Sequence, residues 1–198
     1  EQMREAGAQT IDVRIPSLRD RISRTSLYVQ QSKADLNRFM AGRANGPSCS
    51  FEQIYASACF HPQNDLFHSL AAGPSEPDPA VYLPQRLAQI EFQRVLLNLY
   101  AAHDLDVLMY PDVQVLPPTY RELEAGKWSC LNFPTNTVIA SQSHLPALSM
   151  PAGFSSGRVP IGVEVVGKPF AELALLRFAY AWEKIARPRS PPDMDGAP

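Results

Sequence analysis

The sequence runs to 198 residues with 45% apolar and 19% charged side chains, the composition of a folded globular chain and not of a disordered tail. A net charge of −2 with no strongly basic stretch argues against nucleic-acid binding, and no apolar run reaches the roughly 20 residues of a membrane helix. Three cysteines (Cys49, Cys59, Cys130) are too few and scattered for a disulfide framework or a four-cysteine zinc site, and the 19 prolines punctuate the chain without forming a repeat.

Glu1 to Gly7 reads as the last turns of a helix stopped by a C′ glycine, and a helix already under way at residue 1 points to a preceding segment. Gln9 to Ile15 alternates polar and apolar residues, with Ile11, Val13 and Ile15 on one face, which predicts a strand ended by Pro16. Ser17 is placed to cap a helix to about Phe39 or Met40. Leu18, Ile22, Leu36 and Phe39 are its apolar positions, and the polar stretch from Arg24 to Gln31 is compatible with a break. Arg43 to Ser48 is a loop. Ser50 with Gln53 makes a capping-box pattern for a short helix to about Ala58, and another short helix fills Gln63 to Ala71. Gly73 to Pro79, with three prolines, is a surface loop.

Leu83 to His103 is the clearest long helix. Leu87, Ile90, Phe92, Val95, Leu96, Leu97, Leu99 and Tyr100 leave so little polar face that burial on most sides is expected. Asp106 to Tyr110 predicts a buried strand stopped by Pro111, followed by a proline-rich loop from Val113 to Thr119. Asn132 to Ser143 suits a helix capped by Thr135 or Asn136. Pro146 to Ala152 is a strand, Gly153 to Pro160 a turn, and Ile161 to Gly167 the next strand. Pro169 opens a final helix with Leu175, Phe178, Trp182 and Ile185 in one stripe; the tail from Arg187 to Pro198 is polar and proline-rich. Strands separated by long helices predict an α/β fold, with all four strands in one mixed sheet.

Few motifs carry chemistry by themselves. Gly153-Phe-Ser-Ser-Gly157 matches G-x-S-x-G, but a strand follows where a nucleophile elbow needs a helix, so a hairpin turn is expected. None of His61, His68, His103 and His144 has the i, i+4 partner of a zinc helix. His103 and Asp104 read as helix-end residues, and His144 stands just before a core strand. Asp104 and Asp106 flank Leu105 where the chain enters the sheet, a turn position rather than a catalytic pair. Cys130 lacks an activating base and is expected as a buried small residue. Glu164 lies mid-strand on the face opposite Ile161, Val163 and Val165, so either that face is solvated or Glu164 has a buried partner such as Arg or Lys. The residues alone assign no catalytic group.

A resemblance goes further. Asp104-Leu-Asp-Val-Leu-Met-Tyr-Pro111, Asn136 to Phe154 with its Leu-Pro-Ala-Leu-Ser-Met-Pro-Ala-Gly-Phe core, and Pro160-Ile-Gly-Val-Glu-Val-Val-Gly-Lys-Pro-Phe170 follow one another in order. With Leu175-Leu-Arg-Phe-Ala-Tyr-Ala-Trp-Glu183 they resemble the C-terminal part of an amidase-signature hydrolase. Ala6 to Pro16, Ser32 to Asn37 and Ala58 to Pro62 extend the resemblance more loosely over most of residues 1–186. Two positions depart from the family pattern: His144 stands where relatives usually carry Gly, and Glu164 where they usually carry Gln.

The resemblance implies an α/β fold, part of the amidase-signature fold, a mixed twisted β-sheet covered by helices on both faces. Residues 1–186 would form the C-terminal portion of a single domain, and 187–198 a tail. The implied reaction is hydrolysis of a carboxamide to a carboxylate and ammonia or an amine. The family's Ser-Ser-Lys triad lies N-terminal to the matched region, so no catalytic residue, cofactor or metal is expected in this chain. Asp112, Asn136, Met150 and Phe154 are the implied substrate-facing positions. The expected partners are the preceding catalytic segment and a small-molecule amide, without nucleic acid or a membrane span; a homodimer is compatible, and the location implied is cytoplasmic. The alternatives are a catalytically inactive binding or assembly relative and an esterase on the same scaffold.

Overall fold

The structure, a computed structural model, describes residues 1–43, 49–187 and 189–191. Most of the expected loop at 43–48 and of the tail at 187–198 lies outside the described residues. In chain order the elements are α1 (Gln2–Glu5), α2 (Leu18–Thr25), α3 (Tyr28–Ala41), α4 (Phe51–Ala56), α5 (Asp65–Ala72), α6 (Pro79–His103), β1 (Leu108–Pro111), α7 (Tyr120–Glu124), α8 (Val138–Ser143), β2 (Ala147–Phe154), β3 (Pro160–Val166) and α9 (Glu172–Ala186). They form two compact units. One is built from Glu1–Pro16, Gln93–Leu116 and Thr135–Pro198, the other from Ser17–Phe92 and Pro117–Pro134. No helix among the described residues is long and apolar enough to cross a membrane.

The all-helical unit follows the local signals closely. The predicted break falls at Ser26–Leu27, dividing α2 from α3. Ser50 caps α4 through a reciprocal box: its hydroxyl accepts from Gln53 N–H at 3.3 Å, and its own N–H donates to Gln53 Oε1 at 2.8 Å. Thr119 and Glu122 form the same device on α7. Phe51 is buried beneath Tyr55 and Phe67, and Phe60 stacks on both of these rings. Lys33 is buried on α3 and donates from Nζ to Ala71 O (3.1 Å) and Gly73 O (2.7 Å), satisfying carbonyls left open at the end of α5.

The second unit holds the sheet. Its three strands lie in the order β1-β3-β2, with β3 central, and both pairings are antiparallel. The α/β class holds, but the strand expected over 11–15 does not form. That segment is extended and unpaired. A cleft of about 620 Å³ is lined both by residues 7–13 and by 103–109, so the segment approaches β1 without pairing to it. Alternation specifies a two-faced extended segment, whereas a ladder also needs a neighbour in register.

One face of the sheet carries the apolar core. Met150 and Val165 pack on Leu175, with Met3, Val107, Leu148, Phe178, Ala179 and Trp182 around them. The predicted stripe of α9 supplies three of these. At one end of the ladder Tyr100 of α6 ties β3 to β1: its hydroxyl donates to Val166 O (2.6 Å) and accepts from Leu108 N–H (3.2 Å). Along α6, Phe92, Leu96 and Tyr100 are buried at four-residue spacing, yet Leu83, Leu87 and Ile90 are exposed. The helix is therefore amphipathic by environment, not buried on most sides as its composition predicts.

Candidate functional site

The antiparallel register brings three polar side chains abreast. Tyr110 of β1 and Ser149 of β2 both pair with Glu164 of β3, so all three share one face of the sheet. Two residues past Tyr110, Asp112 reaches the same face, its N–H donating to Gly162 O at 3.1 Å. The Asp112 carboxylate lies directly over that glycine. A Cβ at 162 would fall 2.0 Å from Asp112 Oδ2, so only glycine leaves room for it. The Ser149 hydroxyl donates to the same Oδ2.

Asn136 secures the end of β1. Its N–H donates to Asp112 O at 2.8 Å, its Nδ2 to Pro111 O at 2.9 Å, and its Oδ1 accepts from Gln114 Nε2 at 2.9 Å. Thr135 adds a bridge to Val113. These bonds hold the Asp112 backbone in place after Pro111 has ended the strand.

Glu164 is 8% exposed. The side chain is not solvated; it has a buried polar neighbour, but this is the Tyr110 hydroxyl and not an Arg or Lys among the described residues. Its neighbours are the Tyr110 hydroxyl and the Asp112 carboxylate. Glu164 Oε2, Tyr110 Oη and Asp112 Oδ1 are all buried and make no fully aligned hydrogen bond among the described residues. Burial pushes the Glu164 carboxyl above the ordinary range; the Tyr110 hydroxyl draws it back and the Asp112 charge adds to the rise. Burial likewise raises the Tyr110 phenol; hydrogen bonding to the Glu164 carboxylate and that group's charge add to the rise, and the Ala140 N–H acts against it. The Tyr110 hydroxyl and the Glu164 carboxyl thus face each other as hydrogen-bonding neighbours, although Oη and Oε2 stop short of a fully aligned bond.

Of the four substrate-facing positions that the resemblance implies, Asp112 and Asn136 come together here. Met150 is buried on the opposite face, where it lines a cavity of about 640 Å³ with Met109, Ala152, Val163 and Trp182. Phe154 stands at the end of β2, 42% exposed. Strict alternation would put Met150 and Phe154 on one face. The register shift between Pro151 and Gly153 adds a residue at Ala152, which pairs Phe154 with Pro160 and separates it from Met150. Tyr110 and Ser149 are not legible as site residues in the sequence. The one available signal is a carboxylate in the middle of an apolar strand.

Other motifs resolve into local structure. Gly153 to Gly157 opens the β2–β3 hairpin turn, closed by Ser155 N–H to Val159 O at 2.9 Å, with Ser155 Oγ accepting from Val159 N–H at 3.2 Å. No helix follows this serine, as expected of a turn. Asp104 and His144 both take left-handed backbone at helix ends, with φ of 49° and 55°. His144 is the C-cap of α8, which gives a conformational reason for glycine at that position. Cys130, expected to be buried, is exposed; its N–H donates to Asp65 Oδ1 at 3.1 Å. The chain there is held by a backbone bond, not by packing of the thiol.

Comparison with known proteins covers this whole region. The Amidase family model matches residues 1–176. The A subunit of the glutamyl-tRNA(Gln) amidotransferase of Halobacterium salinarum is 28% identical over 196 residues, covering 92% of this chain and 44% of that protein. Its namesake from Moorella thermoacetica is 50% identical over 48 residues, 24% of this chain and 10% of its own length. The native peptide amidase of Stenotrophomonas maltophilia superposes with a TM-score of 0.72 at 26% identity, covering 98% of this chain and 39% of that one. The chain thus spans less than half the length of these relatives. With the family model matched over residues 1–176, the chain belongs to the Amidase family, the amidase-signature hydrolases.

Proposed function

We propose that this chain is the C-terminal part of an amide hydrolase that converts a small carboxamide to a carboxylate and ammonia or an amine. The observation that carries this reading is the family match over residues 1–176, combined with coverage of only 39–44% of two relatives matched over nearly the whole chain. The nucleophilic Ser, the bridging Ser and the Lys belong to a preceding segment. There the Lys and bridging Ser relay the nucleophile's proton, and backbone N–H groups hold the oxyanion. This chain contributes sheet strands, covering helices and part of the substrate wall. Asp112 and Asn136 form one substrate-facing group beyond β1; Met150 and Phe154 contribute at separate positions. The protein is cytoplasmic on this reading.

The test is hydrolysis of a panel of small amides and matched esters by the complete protein, read as ammonia or alcohol release. Amide turnover supports the reading. Ester turnover alone would make it an esterase, and turnover of neither would make it a binding or assembly protein. Residues 1–198 produced alone should release no ammonia. Ser155→Ala in the complete protein should change kcat no more than a few-fold, whereas a loss on the order of 10³ would put the nucleophile in the β2–β3 turn.

A further inference from the structure

The geometry points to the Tyr110–Asp112–Ser149–Glu164 face as a seat for a cationic N–H donor, an ammonium or guanidinium group. Three buried oxygens there make no fully aligned hydrogen bond among the described residues, Glu164 Oε2, Asp112 Oδ1 and Tyr110 Oη, although the Tyr110 hydroxyl neighbours both Glu164 and the Ala140 N–H. Glu164 is itself more than nine-tenths buried and faces the others across the ladder. Two carboxylates converge, and neither makes an ion pair with a Lys, Arg or His of the described residues. A buried carboxylate oxygen with no donor costs far more than a satisfied one, so the group it lacks is a donor, and the local charge selects a positive one.

The internal donors do not meet the demand. The Ser149 hydroxyl is committed to Asp112 Oδ2, and the Tyr110 hydroxyl has one proton to give. An ammonium carries three N–H groups, one for each of the three oxygens. No group of three or more His, Cys, Asp or Glu that could hold a metal ion is gathered among the described residues. Gly162 keeps the Asp112 carboxylate over β3, and the rim opens at Ala147 and Ser149, which are exposed on the outer strand β2.

Such a cation has two sources: an amino group on the substrate, or a Lys or Arg side chain from the rest of the complete protein. The substrate arm rests on the amide-hydrolase reading above; the binding arm does not. In the first experiment, n-butylammonium chloride is titrated calorimetrically into the complete protein, with 1-butanol as the uncharged control. If the substrate supplies the cation, butylammonium binds and butanol does not, and Glu164→Gln and Asp112→Asn each weaken binding at least tenfold. The ratio of kcat/KM for 6-aminohexanamide over heptanamide then falls at least tenfold in the same variants. If a protein side chain fills the seat, butylammonium fails to bind, that ratio is unchanged, and Glu164→Gln lowers Tm by roughly 5 °C or more. The proposal is overturned if butylammonium does not bind and Glu164→Gln leaves Tm unchanged or raised, since Glu164 then simply holds a proton. Should neither amide be hydrolysed, the amide reading fails, and calorimetry with the Tm values still decides the seat.

Discussion

Gly162 is where a single added methyl group has the clearest consequence. Its Cβ would stand 2.0 Å from Asp112 Oδ2 and 3.0 Å from Asp112 Cγ, so the Asp112 carboxylate would have to move off Ser149 to admit it. Gly162→Ala is expected to cost about 1–3 kcal/mol in thermal or denaturant unfolding. The cost should shrink when Asp112→Ala is added, because the struck atoms are gone; an unchanged cost would assign the effect to the strand backbone instead. His144 tests the opposite case, a side chain where the backbone favours none. At φ 55° an L-residue is strained, so His144→Gly should be about 1 kcal/mol more stable than His144→Ala, a comparison in which both variants lack the imidazole. Tyr100 supplies a pH dependence. Burial pushes its phenol up to about 12 from 10, with the Leu108 N–H acting against the rise. The folded state therefore keeps a proton that the unfolded chain releases. The stability this contributes is full below pH 10 and is lost as the pH climbs towards 12. Urea unfolding of Tyr100→Phe between pH 9 and 12 should show a shallower alkaline fall than that of the parent protein.

Among the elements, α5 depends on a side chain from far away in the sequence. Lys33 reaches it from α3, buried, with both of its hydrogen bonds ending on carbonyls at the α5 C-terminus. Lys33→Met keeps the aliphatic stem but leaves those carbonyls without their donor. The expected loss is about 2–4 kcal/mol, read from chemical denaturation. Lys33→Arg should not recover it fully, since the planar fork does not fit a site shaped for a compact ammonium. The bulge in β2 decides which side chain of that strand is buried. By inserting Ala152 it divides Met150, which joins the core, from Phe154, which does not. Alternation predicts the strand but cannot show where alternation is interrupted.

At the scale of the whole chain, apolar surface is the prominent feature. Phe170 is 93% exposed, and Leu173, Leu176 and Tyr180 of α9 are exposed on the side of that helix away from Leu175, Phe178 and Trp182. Leu83, Leu87 and Ile90 do the same on α6. Each large apolar side chain left in water forgoes roughly 1.5–3 kcal/mol of burial. Produced alone, residues 1–198 are therefore expected to self-associate, eluting from size exclusion well above the 21.9 kDa of one chain. A sharp monomeric peak with a cooperative melt would contradict this and favour an independently folded binding module.

What the sequence determined by itself is what is set within a few residues. The capping box at Ser50, the glycine stop at Gly7 and the hairpin at Gly153–Pro160 all rest on contacts between near neighbours. The Thr119 box on α7 is just as local but is not legible, because the prolines beside it make the segment look like a plain loop. The family resemblance is legible for the same local reason, as ordered short motifs along the chain. The candidate site is half legible: Asp112 and Asn136 follow from motif position, and Glu164 is visible as a polar residue in an apolar strand. Its neighbours are not, because Tyr110 lies 54 positions before it and Ser149 fifteen before, and only strand register makes them adjacent. The same dependence on distant partners explains why 11–15 alternates yet does not pair, and why α6 is apolar by composition yet exposed along Leu83, Leu87 and Ile90. Periodicity states which faces a segment has; which of them meets protein is decided by what the rest of the fold brings to it.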